Sequence, residues 1–117
     1  MRTLIIGLGL ATGLAAAAQA QTVGGSYIVH GTNPNGSSYS GTAEISPRGD
    51  ACRITWQTGS TSSQGICMLA NKAFAAYYHL GDDVGLVVYE LLPDGTLKGY
   101  WTIKDQKGVG TEVLMPK

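Results

Sequence analysis

The stretch CRITWQTGSTSSQGIC, residues 52–67, has a chain reversal at its centre and a cysteine at each end. Gly59-Ser60 has the form of a two-residue hairpin loop with glycine leading, where a positive φ is required. Counting outward from that loop, Thr58 faces Thr61, Trp56 faces Ser63, Ile54 faces Gly65 and Cys52 faces Cys67. Side chains in a strand repeat every second residue, so the two cysteines share a face with Ile54 and Trp56. A disulfide there would close a loop of about fifteen residues, worth roughly 3 kcal/mol in the chain-entropy model. The alternative is a pair of buried free thiols. Trp56 is expected to pack over Gly65, which has no side chain of its own.

The same grammar runs through the rest of the chain. Short runs of β-branched and aromatic residues alternate with clusters of Gly, Asn, Asp and Pro. Strands are predicted near residues 23–31, 38–46, 51–57, 62–69, 73–80, 84–92, 96–103 and 109–114. The connections are too short for anything but antiparallel neighbours, which makes an up-and-down meander the simplest topology. In the second strand Tyr39, Gly41, Ala43 and Ile45 share the apolar face. Leu97, Gly99, Trp101 and Ile103 do so in the seventh, and Gly85, Val87, Tyr89 and Leu91 in the sixth. Leu86 and Val88 then point outward, either onto a subunit contact such as a homodimer or because that strand is covered on both sides. Glycine recurs on the inner face at Gly41, Gly65, Gly85 and Gly99, where close approach and coiling are needed. The expected fold is all-β: a small eight-stranded antiparallel β-barrel with one cross-strand disulfide, preferred to a sandwich because closure removes open edges.

Residues 1–20, MRTLIIGLGLATGLAAAAQA, have the form of a signal peptide: Arg2, an apolar run from Leu4, and the small-x-small end Ala18-Gln19-Ala20. Residues 21–117 would then be one domain in an oxidising compartment, periplasmic or secreted, which suits a disulfide. Without Arg2 the eight basic residues become seven against eight acidic ones. No basic stripe is present, which argues against a nucleic-acid partner, and no polybasic segment addresses a lipid surface after signal cleavage.

Catalytic signatures are missing: the chain has no G-x-S-x-G, no phosphate-binding glycine loop and no H-E-x-x-H. The expectation is therefore a non-enzymatic protein without cofactor or metal. His30 and His79 read as rim residues, and Asp82, Asp83 and Asp94 as turn carboxylates beside glycine. Asn35-Gly36-Ser37 matches a glycosylation sequon but reads first as a hairpin turn. Arg48-Gly49-Asp50 spells an integrin-recognition tripeptide, yet Pro47 to Asp50 also has the composition of a turn between two strands. Tyr39, Trp56, Tyr89 and Trp101 face inward; they either line a ligand site or fill the core.

Four segments carry a resemblance: SYIVHGTNPNGSSYSGTAEI, CRITWQTGSTSSQGIC, GLVVYELLPDGTLKGYWTI and GVGTEVLMP. Together they resemble a group of small exported alphaproteobacterial proteins that carry the label "fibronectin-binding protein". That resemblance implies a binding module adhering to an extracellular protein such as fibronectin. The meander with its G-x-W-like strands is also similar in architecture to avidin- and lipocalin-type barrels. This second likeness implies a calycin-like barrel holding a small apolar ligand.

Overall fold

The computed structural model describes residues 23–117. The expected signal segment, residues 1–20, lies outside them. Eight strands follow one another: β1 (Gly25–Thr32), β2 (Ser38–Arg48), β3 (Ala51–Thr58), β4 (Thr61–Ala70), β5 (Ala73–Leu80), β6 (Asp83–Leu91), β7 (Leu97–Ile103) and β8 (Gly110–Pro116). Each pairs antiparallel with its neighbour, and β1 also pairs with β8, so the sheet closes into a barrel. Closure pairs every edge, the expected answer to the open-edge problem.

Four reversals are two-residue loops at Gly49-Asp50, Gly59-Ser60, Asn71-Lys72 and Gly81-Asp82. The first residue of each has positive φ, between 57° and 65°. Glycine adopts that conformation freely and asparagine tolerates it. The β3–β4 register is the one that the Gly59-Ser60 loop predicts, from Thr58 opposite Thr61 to Cys52 opposite Cys67. The two cysteines form a disulfide, with Cα atoms 4.9 Å apart.

Inner glycines mark where the wall coils most tightly. A methyl group on Gly65 would overlap the Tyr77 carbonyl, and one on Gly99 would overlap that of Val88. Main chain of β5 thus crowds Gly65 from the side. Trp56 on β3 packs edge-on against Tyr78, the residue opposite Gly65 on β5, with ring centroids 5.3 Å apart, a contact that spans β4 at the bare Gly65 as the sequence led one to expect.

The interior divides into two halves. Toward the end that carries the Gly49-Asp50 and Asn71-Lys72 turns, Val29, Ile45, Ile54, Phe74, Leu91, Leu97 and Leu114 form a filled apolar plug. Val29 faces Leu114, Leu114 faces Leu97 and Leu97 faces Leu91, so one ladder crosses four strands. Each such side chain contributes about 1.5–3 kcal/mol on full burial, which makes this half the main source of stability. Outside, β1–β3 present Ser26, Thr42, Glu44, Arg53, Thr55 and Gln57 to solvent. The outer wall of β4–β7 is apolar instead, with Ile66, Met68, Leu86, Val88 and Tyr100 all exposed.

Candidate functional site

At the opposite end the barrel is hollow. A cavity of about 530 Å³ opens between the β1–β2 loop, the Gly59-Ser60 and Gly81-Asp82 turns, and the β7–β8 loop. Its walls include Tyr39, Trp56, Tyr78 and Trp101, and its floor includes Glu112, the one charged side chain that is buried among the described residues. Glu112 is 6% exposed.

Strand parity puts Glu112 there. In β8, Gly110, Glu112 and Leu114 point inward, and Leu114 anchors that face in the apolar plug. Glu112 stands opposite Gly31 on β1 and Gly99 on β7. Beyond those two glycines stand Tyr39 on β2 and Tyr89 on β6, each opposite the intervening glycine. A side chain on Gly31 would collide with the Tyr39 ring, so its absence lets that ring lie across β1. Both tyrosines converge on the carboxylate.

The Tyr39 hydroxyl donates to Glu112 Oε1 at 2.6 Å. The Tyr89 hydroxyl donates to Oε2 at 2.5 Å, and the Trp56 indole N–H reaches the same oxygen from across the barrel at 2.9 Å. An indole N–H can only donate, so Oε2 must accept it. Burial raises the Glu112 pKa, while the hydrogen bonds from Tyr39, Tyr89 and Trp56 pull it back. Burial and the neighbouring Glu112 charge push Tyr39, Tyr78 and Tyr89 above the ordinary phenol value. Those hydroxyls therefore keep their protons and stay available as donors.

Hydrogen bonds to a charged group are worth about 1.5–3 kcal/mol each, and burying a carboxylate costs several kcal/mol. The two roughly cancel, so this network adds little to stability. What it does is hold one acidic group in a set position beneath a solvent-connected aromatic cavity. Around the mouth, Tyr39 and Trp101 meet edge-on with centroids 6.2 Å apart, and Trp101 donates its indole N–H to the Thr111 carbonyl at 3.2 Å. Tyr78 lies across Gly85 and donates to the Thr102 carbonyl at 3.0 Å.

Of the four inward aromatics singled out from the sequence, Tyr39, Trp56 and Trp101 line the cavity, and Tyr89 lies beneath it as a ligand of Glu112. Tyr78 and Glu112 were not singled out. Parity from Leu114 in β8 would have turned Glu112 inward, and the Gly65 register would have put Tyr78 beside Trp56. His30 and His79 are exposed on the outer wall, where the His79 ring pairs with the Tyr77 hydroxyl at 3.0 Å. Arg48, Gly49 and Asp50 form the exposed β2–β3 turn, at the end of the barrel away from the cavity. Asn35 accepts hydrogen bonds from the Ser37 amide and hydroxyl, which makes Asn35-Gly36-Ser37 a side-chain-closed turn. Among the described residues no group of three or more His, Cys, Asp or Glu side chains could hold a metal ion.

A closed eight-stranded antiparallel barrel, plugged at one end and hollow at the other, is the class these features define. Solved structures share the barrel fold at low sequence identity. A redesigned β-barrel superposes with a TM-score of 0.71 at 18% identity, covering 81% of this chain and 91% of that one. A second redesigned barrel, bound to DFHBI, gives 0.69 at 17% identity over 78% of this chain and 93% of that one. A fatty acid transporter gives 0.51 at 15% identity over 80% and 95%. At these identities the likeness is one of fold. No protein-family model matches the sequence, and no curated protein does; the resemblance to fibronectin-binding proteins gains no support from them.

Proposed function

We propose that this chain is an exported, non-enzymatic barrel that holds a small organic ligand in its aromatic cavity. The observation that carries the reading is the division of the interior: one half is plugged, and the other is left as about 530 Å³ of lined space. That volume suits a small ligand, and aromatic walls with a few convergent polar groups are what such sites contain. Two barrels of the same architecture are described with small molecules, one bound to DFHBI and one as a fatty acid transporter. Native mass spectrometry of protein purified from its own source tests the reading. A retained small molecule that is lost when Ser63 is replaced by Trp supports it. A clean apo mass, with no change in Trp fluorescence across a library of small organic compounds, refutes it.

A second reading, adhesion to a protein such as fibronectin or to a second copy of the chain, draws on the outer wall. Leu86 and Val88 are 61% and 52% exposed there, beside Ile66, Met68 and Tyr100. Sedimentation and fibronectin-capture assays on the Leu86→Ser, Val88→Ser double variant test it. Unchanged mass and unchanged capture would dismiss it.

A further inference from the structure

We infer that the ligand of this cavity is a small organic cation, an ammonium group on a compact apolar body. The inference rests on the ligand-holding reading above and deepens it. Three observations point the same way.

First, the carboxylate has no counter-charge among the described residues. Glu112 is held only by neutral donors, Tyr39, Trp56 and Tyr89. Among the described residues the one ion pair is Lys104 with Asp105, both exposed. Lys107 is the only basic side chain in the cavity lining, and it is exposed at the lip in the β7–β8 loop.

Second, the carboxylate is not saturated. Two oxygens offer about four acceptor positions. Oε2 takes two donors and Oε1 takes one from a side chain, leaving one position on Oε1 without a donor among the described residues. Glu112 belongs to the cavity lining, so a donor on a bound molecule can complete it.

Third, the walls are aromatic. Tyr39, Trp56, Tyr78 and Trp101 surround the space above the carboxylate. Aromatic faces carry negative quadrupole potential and attract a cation, more strongly as it loses water. The three hydroxyls of Thr58, Thr61 and Ser63 add neutral acceptors along the β3–β4 side. An anionic ligand would meet the buried carboxylate and these rings, with no basic side chain at depth among the described residues to neutralise it. A neutral apolar ligand would leave the open position of Oε1 unused.

The experiment compares four soluble probes of similar size: 2-phenylethylammonium, benzyltrimethylammonium, 2-phenylethanol and 3-phenylpropanoate. Binding is read from Trp fluorescence and from the NMR signal of the Trp56 indole N–H. The cations should bind at least tenfold more tightly than the alcohol, and the carboxylate probe should bind least. Glu112→Gln should remove most of that preference while the alcohol's affinity changes little. Lys107→Gln, at an exposed position that leaves the fold alone, should tighten the cations two- to threefold at low salt. Equal or tighter binding of the alcohol or the carboxylate overturns the cation assignment and leaves the ligand-holding reading standing. Failure of all four probes, with a clean apo mass, overturns both.

Discussion

Replacing Glu112 separates what the buried network does for folding from what it does for the cavity. In Glu112→Ala, Oε2 disappears from beneath the Trp56 N–H and the Tyr89 hydroxyl, both buried. Stranding a buried donor costs about 1–3 kcal/mol. The Tyr39 hydroxyl escapes that cost, because it is only partly buried and already lies 3.4 Å from the Thr111 carbonyl. Two stranded donors cost about 2–6 kcal/mol, and the relief of removing a buried charge offsets part of that, for a net loss of about 1–3 kcal/mol at neutral pH. Glu112→Gln behaves differently. With its carbonyl in the Oε2 position it still accepts from Trp56 and Tyr89. Its amide then donates to Tyr39, whose hydroxyl turns from donor to acceptor. The expected change is within about 1 kcal/mol.

The pH dependence gives the sharper test. Burial raises the folded-state pKa of Glu112 above the ordinary 4.5. Between the two values the native chain keeps a proton that the unfolded chain has released. The native state therefore binds more protons, and stability falls as pH rises through that window. Glutamine has no such slope, so the stability of Glu112→Gln relative to the wild type should increase from pH 4 upward until the folded-state pKa is passed. Guanidinium unfolding under non-reducing conditions, followed by Trp fluorescence at half-unit pH steps, measures all three proteins. An alanine variant as stable as the wild type, or a gap between glutamine and wild type that ignores pH, would refute the reasoning.

The other expectations concern the frame. Replacing Cys52 and Cys67 by Ser opens a link between residues fifteen apart. It should cost about 3 kcal/mol in guanidinium unfolding, and dithiothreitol should then leave the variant's midpoint unmoved. Gly65→Ala drives a methyl group into the Tyr77 carbonyl and should cost about 3 kcal/mol or prevent folding. Gly36→Ala, with φ of 91° but open space around it, should cost only about 1–2 kcal/mol, as thermal melts of both will show. Asp50→Glu alters the Arg48-Gly49-Asp50 tripeptide without disturbing the exposed turn. Cell attachment to immobilised protein should not change, and a clear loss would make that turn a recognition loop.

Most of the frame was legible because local rules and global closure agree. Gly59 with its obligatory positive φ sets one register, and the cysteines confirm it without any other strand. Alternation in β2, β6 and β7 then separates inside from outside, including the outward Leu86 and Val88. Less legible was how closely coiling in so small a barrel brings the β5 main chain against Gly65, since that contact is backbone and leaves no mark in the side-chain pattern.

The site was less legible because its parts meet only after the barrel closes. The donors to Glu112 lie 73, 56 and 23 residues away along the chain. No spacing motif can record such a set. What the sequence does record, once register is known, is the pairing of large rings with bare glycines on the next strand: Tyr39 with Gly31, Tyr89 with Gly99, Tyr78 with Gly85 and Trp101 with Gly110. In a filled core such pairs would be compensated by a bulky residue on the following strand. Here the strand beyond both Gly31 and Gly99 offers Glu112 instead. A glutamate at that position stabilises the fold less than a leucine would. Its presence between Gly31 and Gly99 is therefore not accounted for by fold stability, and under the proposed function it serves the bound molecule.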